Sequence, residues 1–253
     1  MDDKVENFVF IIIVLICFII LLRFGTNFLG WLFSPSENPI LIDGMVDARQ
    51  MTIIKQDPSK KGAKPILRSN NEFNGLEFTW SVWIFIDDVH YSLKNEDKHI
   101  FHKGHVSSIK GSPYLLLANN TNELIVGTNT FENISEEVRI KDIPLNKWVN
   151  VIIRINKQKQ LDVYINGTLV KRQILTSIPK QNYGDVYTSL NGGFSGRISS
   201  LRYFSESIGT YKIQSIVDSG PNLKTVDNTQ TNSQPRYLST RWFFKHVDED
   251  YSN

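Results

Sequence analysis

The sequence predicts an all-β, antiparallel two-sheet sandwich with one short helix, preceded by an N-terminal transmembrane helix. Three observations predict it. The 253 residues hold 29 Ile but only three Ala, a bias toward β-branched side chains and away from strong helix formers. Short runs of alternating apolar and polar residues recur from Leu76 to Phe204, with Gly, Asn, Asp and Pro between them. Ahead of them, Phe8 to Leu22 is wholly apolar and uncharged.

That apolar run comes first in the chain. As a helix it reaches only about 22 Å, against a bilayer core of roughly 30 Å. Extension to about Trp31 closes the gap and gives a span over residues 8–31. Arg23 is then expected to snorkel to the membrane interface, with Trp31 as an interfacial anchor. A cleaved signal peptide would begin with a basic stretch, but Met1 to Asn7 is acidic and no small-x-small cleavage site follows. Lys4 and Arg23 are the nearest cations on the two sides, so orientation stays open. Cys17 is the single cysteine, so no disulfide can form within the chain; it is expected to face lipid rather than carry an acyl group.

Residues 34–39 read as a linker between an anchor, residues 1–33, and a β domain, residues 40–244. Residues 245–253 read as a polar tail. Gln56 to Pro65 carries several lysines and reads as a solvated loop. The formal net charge of +2 lacks the basic excess of a nucleic-acid binder, so no nucleic-acid partner is expected.

The strongest strand pattern is Leu76 to Asp87. Phe78, Trp80, Val82 and Ile84 form one apolar face, while Trp83 and Phe85 imply partial cover on the other. Further strands are expected within Lys98–Gly104, Ser112–Ala118, Asn122–Thr128, Glu136–Asp142 and Lys147–Ile155, then Gly196–Phe204 and Arg236–Phe244. Between Thr210 and Gly220 the apolar residues Tyr211, Ile213, Ile216 and Val217 suit one amphipathic helix stopped by Gly220-Pro221. Trp242, Phe243 and Phe244 are expected to close the core.

Asn166-Gly167 suits a two-residue type I′ hairpin, because both residues accept positive φ. The expected register pairs Tyr164 with Leu169, Val163 with Val170 and Asp162 with Lys171. Asn166 also begins an Asn-Gly-Thr sequon, as Asn119 and Asn133 begin others. An Asn-, Ser- and Thr-rich chain of this length holds about three such triplets by chance, so they say nothing about glycosylation.

The order of these elements carries a resemblance. Phe78 to Trp83, Lys103-Gly104, Trp148 to Val151, Val163 to Gly167, Gly196 to Arg202 and Gly220-Pro221 follow one another as in laminin G-like domains. Over residues 75–221 the chain resembles the laminin G-like branch of the concanavalin A-like sandwiches, to which the pentraxins belong. The resemblance implies a jelly roll that recognises glycans, proteins or lipids, in many members with calcium at the rim. Two departures stand out: the late disulfide of extracellular members is missing, and an anchor directly precedes the domain. The compact anchored form and the Ile/Asn-rich composition are similar to proteins encoded by large DNA viruses.

Catalysis is not expected. Hydrolases of this superfamily place their carboxylates as Glu-x-Asp-x-x-Glu or Glu-x-Asp-x-Glu, and neither spacing occurs. The adjacent acids Asp87-Asp88 and Glu136-Glu137 point to opposite faces of a strand. His99 and His102 have opposite strand parity and His105 lies beyond Gly104, so they read as rim and loop histidines rather than a zinc site. Asp87, Asp88, Asn119, Asn120 and Asn122 are candidate calcium ligands at loop ends, where Asp and Asn also serve turns. The expected function is a membrane-anchored recognition domain for a glycan or protein. The alternatives are a structural protein, such as one linking a virion membrane to its shell, and then a glycosidase.

Overall fold

The computed structural model describes residues 2–32, 34–69, 71–72 and 75–226. They fall into two compact units that divide between Pro35 and Ser36.

The first unit is helix α1, Asp2–Leu32. Its stretch Asn7–Trp31 is long and apolar enough to cross a membrane, about 37 Å at 1.5 Å per residue. None of the side chains in that stretch is buried. Arg23 and Trp31 lie in its C-terminal third, two turns apart along the helix.

The second unit is a sandwich of two antiparallel six-stranded sheets. The first sheet has the order β1 (Met45–Asp47), β14 (Ser195–Phe204), β5 (Phe78–Asp88), β10 (Trp148–Asn156), β11 (Gln160–Ile165), β12 (Thr168–Ile174). The second runs β2 (Thr52–Ile54), β13 (Asp185–Thr188), β6 (Lys98–Gly104), β7 (Tyr114–Leu117), β8 (Leu124–Thr128), β9 (Glu136–Ile140). A two-residue pair, β3 (Asn71–Glu72) and β4 (Gly75–Leu76), stands apart. Strand β5 is central because its neighbours β14 and β10 cover both edges. Its residues Phe78, Trp80, Val82, Ile84 and Ile86 enter the core between the sheets. On its other face Trp83 is also buried, and Phe85 meets Trp148 edge-on at 5.5 Å.

Helix α2, Thr210–Ser219, covers part of the first sheet's outer face. Ile213 and Ile216 pack with Ile152, Tyr164, Phe204 and Ile208. Tyr211 departs from the expected apolar stripe: it is 89% exposed, because the helix buries only one narrow face.

The hairpin forms at Asn166-Gly167, with φ of 48° and 81°. Tyr164 pairs with Leu169 as expected. Beyond that the register differs, since a bulge moves Val163 opposite Lys171 and Asp162 opposite Arg172. The physical reason is a better ion pair. Buried Asp162 takes two bonds from Arg172, at 2.7 and 3.1 Å, and one from Arg154 at 2.8 Å. A fork of planar donors suits a carboxylate better than the single ammonium of Lys171.

The short strands β1, β2 and β13 lack a sequence signal of their own, being three or four residues long. They exist through pairing with longer neighbours. Gln56 to Pro65 is a loop, exposed through Asp57 to Lys61. The strand expected at Arg236–Phe244, with Trp242, Phe243 and Phe244, and the tail 245–253 lie outside the described residues.

Candidate binding cleft

A cleft opens between the sheets at one end of the sandwich. Phe78 and Trp80 enter it from the start of β5, and Tyr203 from the end of β14. Tyr203 lies opposite Trp80 across the strand pair, and their rings meet edge-on at 5.2 Å. Trp80 also stacks on Phe101 at 5.4 Å. These rings make an apolar floor, as in many small-molecule sites. The cleft is small, with a cavity volume of about 30 Å³.

Polar groups stand on the walls. Lys103 shares the inward parity of Phe101 on β6, so its side chain enters the space between the sheets. It is 7% exposed, and its ammonium donates to Gly184 O at 2.8 Å. Burial lowers its pKa to about 8, against a smaller upward pull from Asp185. Arg68 lines the mouth and is exposed. The indole N–H of Trp80, 1% exposed, meets no acceptor among the described residues.

The segment Lys180–Tyr183 forms the opposite lip. It is tied down by Ser112 Oγ donating to Lys180 O, by Lys180 N donating to Asn129 O, and by Gln181 Nε2 donating to Ser69 Oγ. Asn182 Oδ1 accepts from Gly184 N at 2.8 Å and closes the turn. Gly184 is required there: a Cβ would lie 2.2 Å from Gly104 O. This bracing leaves Tyr183 standing at the mouth, 75% exposed.

The histidines are placed differently from expectation. Ile100 is an extra residue in β6, since His99 pairs with Leu116 and Phe101 with Leu115. The bulge cancels the parity difference and sets His99 and His102 on the same face. They are buried, not on the rim, with His99 Nε2 and His102 Nδ1 2.7 Å apart. Leu190 N donates to His99 Nδ1, and His102 Nε2 faces His105 O at 3.2 Å. One arrangement of protons fills this chain, with both rings neutral. Burial, and for His99 the neighbouring His102, lowers both pKa values; the bond to His105 O offsets part of the shift in His102. His105 is outside the pair and contacts Ser107. Among the described residues, no group of three or more His, Cys, Asp or Glu side chains is placed to hold a metal ion.

The candidate calcium ligands are partly brought together, around an ammonium. Lys98 Nζ donates to Ala118 O and Asn119 O at 3.1 Å each, and to Val89 O. Burial lowers the Lys98 pKa, and Asp88, one residue before Val89, offsets part of that shift. Asp88 itself accepts from His90 N, and Asn119 Nδ2 donates to Asn95. Asn122 turns away to Ile143 O, and neither Asp87 nor Asn120 is drawn into this group.

None of the cleft residues was singled out in the sequence as a ligand contact. One signal was available: Lys103 interrupts the inward face of a buried strand, where an unpaired charge is costly. Tyr183, Arg68 and the tryptophan's orphaned donor had no local signature.

Among curated protein sequences none matches this chain. Similar solved structures include the binding domain of botulinum neurotoxin DC in complex with rat synaptotagmin II, at 18% identity and TM-score 0.47, covering 56% of this chain and 35% of that one. The receptor binding domain of botulinum neurotoxin type G is 14% identical with TM-score 0.46, covering 60% and 41%. The chain thus spans well under half the length of these structures, and the likeness concerns fold alone. A laminin G profile of the concanavalin A-like lectin/glucanases superfamily matches residues 61–214, in keeping with the two-sheet antiparallel sandwich, and the chain belongs to that superfamily.

Proposed function

We propose that this chain is a membrane-anchored, non-enzymatic recognition domain that binds a sugar ring in the cleft at the end of the sandwich. One observation carries the reading. A braced lip holds Tyr183 exposed over a cleft floored by Phe78, Trp80 and Tyr203. Sugar rings present apolar C–H faces to aromatic side chains and hydroxyls to surrounding polar groups, and this cleft offers both. Among the described residues the lining holds no carboxylate, whereas glycoside hydrolysis requires a pair. Helix α1 supplies the anchor, with Arg23 and Trp31 toward one membrane interface. Calcium enters this reading only at the loop ends near Asp87, Asp88, Asn119, Asn120 and Asn122, beside the ammonium of Lys98.

The test is binding of the full chain, in lipid nanodiscs, to a panel of monosaccharides and short glycans, with and without calcium. Wild type should bind at least one sugar class, and Tyr183→Ala should weaken it about tenfold while leaving the unfolding midpoint in place. Binding unaffected by Tyr183→Ala would remove the cleft from the reading.

A protein ligand is the second reading, favoured by edge strand β12. Its Leu169, Val170 and Ile174 are 39%, 44% and 65% exposed, beside unpaired backbone groups. Stoichiometric capture of a protein, lost on charging Ile174 and unaffected by Tyr183→Ala, would support it.

A further inference from the structure

We propose that the sugar recognised in this cleft is acidic, carrying a carboxylate or sulfate that meets Lys103 and Arg68. The inference rests on the cleft being a sugar site, as proposed above, and adds the ligand's charge.

Among the described residues three cations line the cleft, Arg68, Lys103 and Lys180, and no Asp or Glu does. Lys180 has turned its ammonium over the Phe131 ring, 5.7 Å away, so it contributes field rather than contact. Lys103 has three N–H donors, of which the structure assigns one, to Gly184 O. Asp185 lies near enough to favour its charge, but one carboxylate oxygen accepts from Gln56 N. Arg68 makes no ion pair or hydrogen bond among the described residues. The indole N–H of Trp80 is a donor with nothing to donate to.

Several acceptors in the same lining are already used. Asn182 Oδ1 is bonded to Gly184 N, Lys180 O to Ser112 Oγ, and Lys103 O to Ser112 N. What remains carries positive charge, with no carboxylate among the described lining residues to balance it. A carboxylate or sulfate only accepts and brings the opposite charge, so it answers these cationic donors better than a neutral hydroxyl does. The cavity, about 30 Å³, has room for the anionic group, and the sugar ring would lie outside it against Tyr183. The charge on Lys103 is present at pH 7 and is lost above its pKa of about 8.

The test uses matched pairs on the full chain in nanodiscs: glucose with glucuronic acid, galactose with galactose 6-sulfate, and benzoate as an anion without a sugar. At least one acidic member should bind about tenfold or more tighter than its neutral partner, as charge-assisted bonds require. The two pairs distinguish carboxylate from sulfate. The advantage should shrink between 50 and 500 mM NaCl and between pH 7 and 9.5. It should fall below about threefold in Lys103→Met and partly in Arg68→Ala. Arg68 is exposed, so that variant serves if Lys103→Met fails to fold. Equal binding within both pairs would overturn the charge assignment and leave the sugar reading standing. Benzoate binding as tightly as glucuronate would overturn the sugar reading and keep an anion site. Binding of no probe would overturn both.

Discussion

Mild acid should destabilise this domain through His99 and His102. The perturbation is a shift from pH 7.5 to 5. In the fold, Leu190 N–H fills His99 Nδ1, and the His99 Nε2–H fills His102 Nδ1. A proton added to either ring must put two N–H groups face to face somewhere along this chain. Among the described residues the groups packed around it supply no counter-charge: Tyr187 stacks on His102 at 5.2 Å, Tyr114 and Leu116 lie opposite on β7, and Lys103 is cationic. The folded pKa values therefore lie below the unfolded value of about 6.5. Below pH 6.5 the unfolded chain binds more protons, so stability falls as pH falls. Each ring that stays neutral while its unfolded counterpart gains a proton costs up to about 2 kcal/mol by pH 5. At roughly 2–4 °C per kcal/mol for a domain of this size, the unfolding midpoint should drop by about 4 °C for one ring and up to about 16 °C for both. Carboxylates such as Asp162, where bonds from Arg172, Arg154 and Gln160 outweigh burial and lower the pKa, lose their contribution only at lower pH. The assay is thermal unfolding followed by near-UV circular dichroism across that range, on wild type and a His99→Gln/His102→Gln variant. A midpoint flat from pH 7.5 to 5, or an equal slope in the variant, would refute the reasoning.

Three other outcomes are expected. Asp162→Ala should cost about 2–4 kcal/mol in urea unfolding, because it strands the guanidinium of Arg154, whose side chain is 12% exposed; half-exposed Arg172 keeps the figure below that of a fully buried pair. Gly184→Ala should cost about 1–3 kcal/mol, since its Cβ meets Gly104 O, and should also weaken cleft binding by moving the acceptor of Lys103. If α1 is a retained anchor, the full chain should stay with membranes through alkaline carbonate extraction, and deletion of residues 1–33 should release it; release of the intact chain would refute the anchor.

The sequence by itself determined the local elements. Alternation made β5 and β10 legible, Asn166-Gly167 made the hairpin legible, and an uncharged apolar run made α1 legible. Each rests on residues near one another in the chain, and their order was enough to carry the family resemblance. Tertiary structure decided whatever depended on partners distant in sequence. The strands β1, β2 and β13 are too short to hold a strand conformation alone and form against longer neighbours. The bulge at Ile100 arises from pairing with β7, and it reverses what strand parity says about the histidines. The bulge in β12 lets Asp162 find Arg172 instead of Lys171. The cleft gathers Arg68, Trp80, Lys103, Tyr183 and Tyr203 from five separate segments. Its donors and acceptors can be counted only once those segments have met, because a group's need for a partner depends on what burial has taken from it.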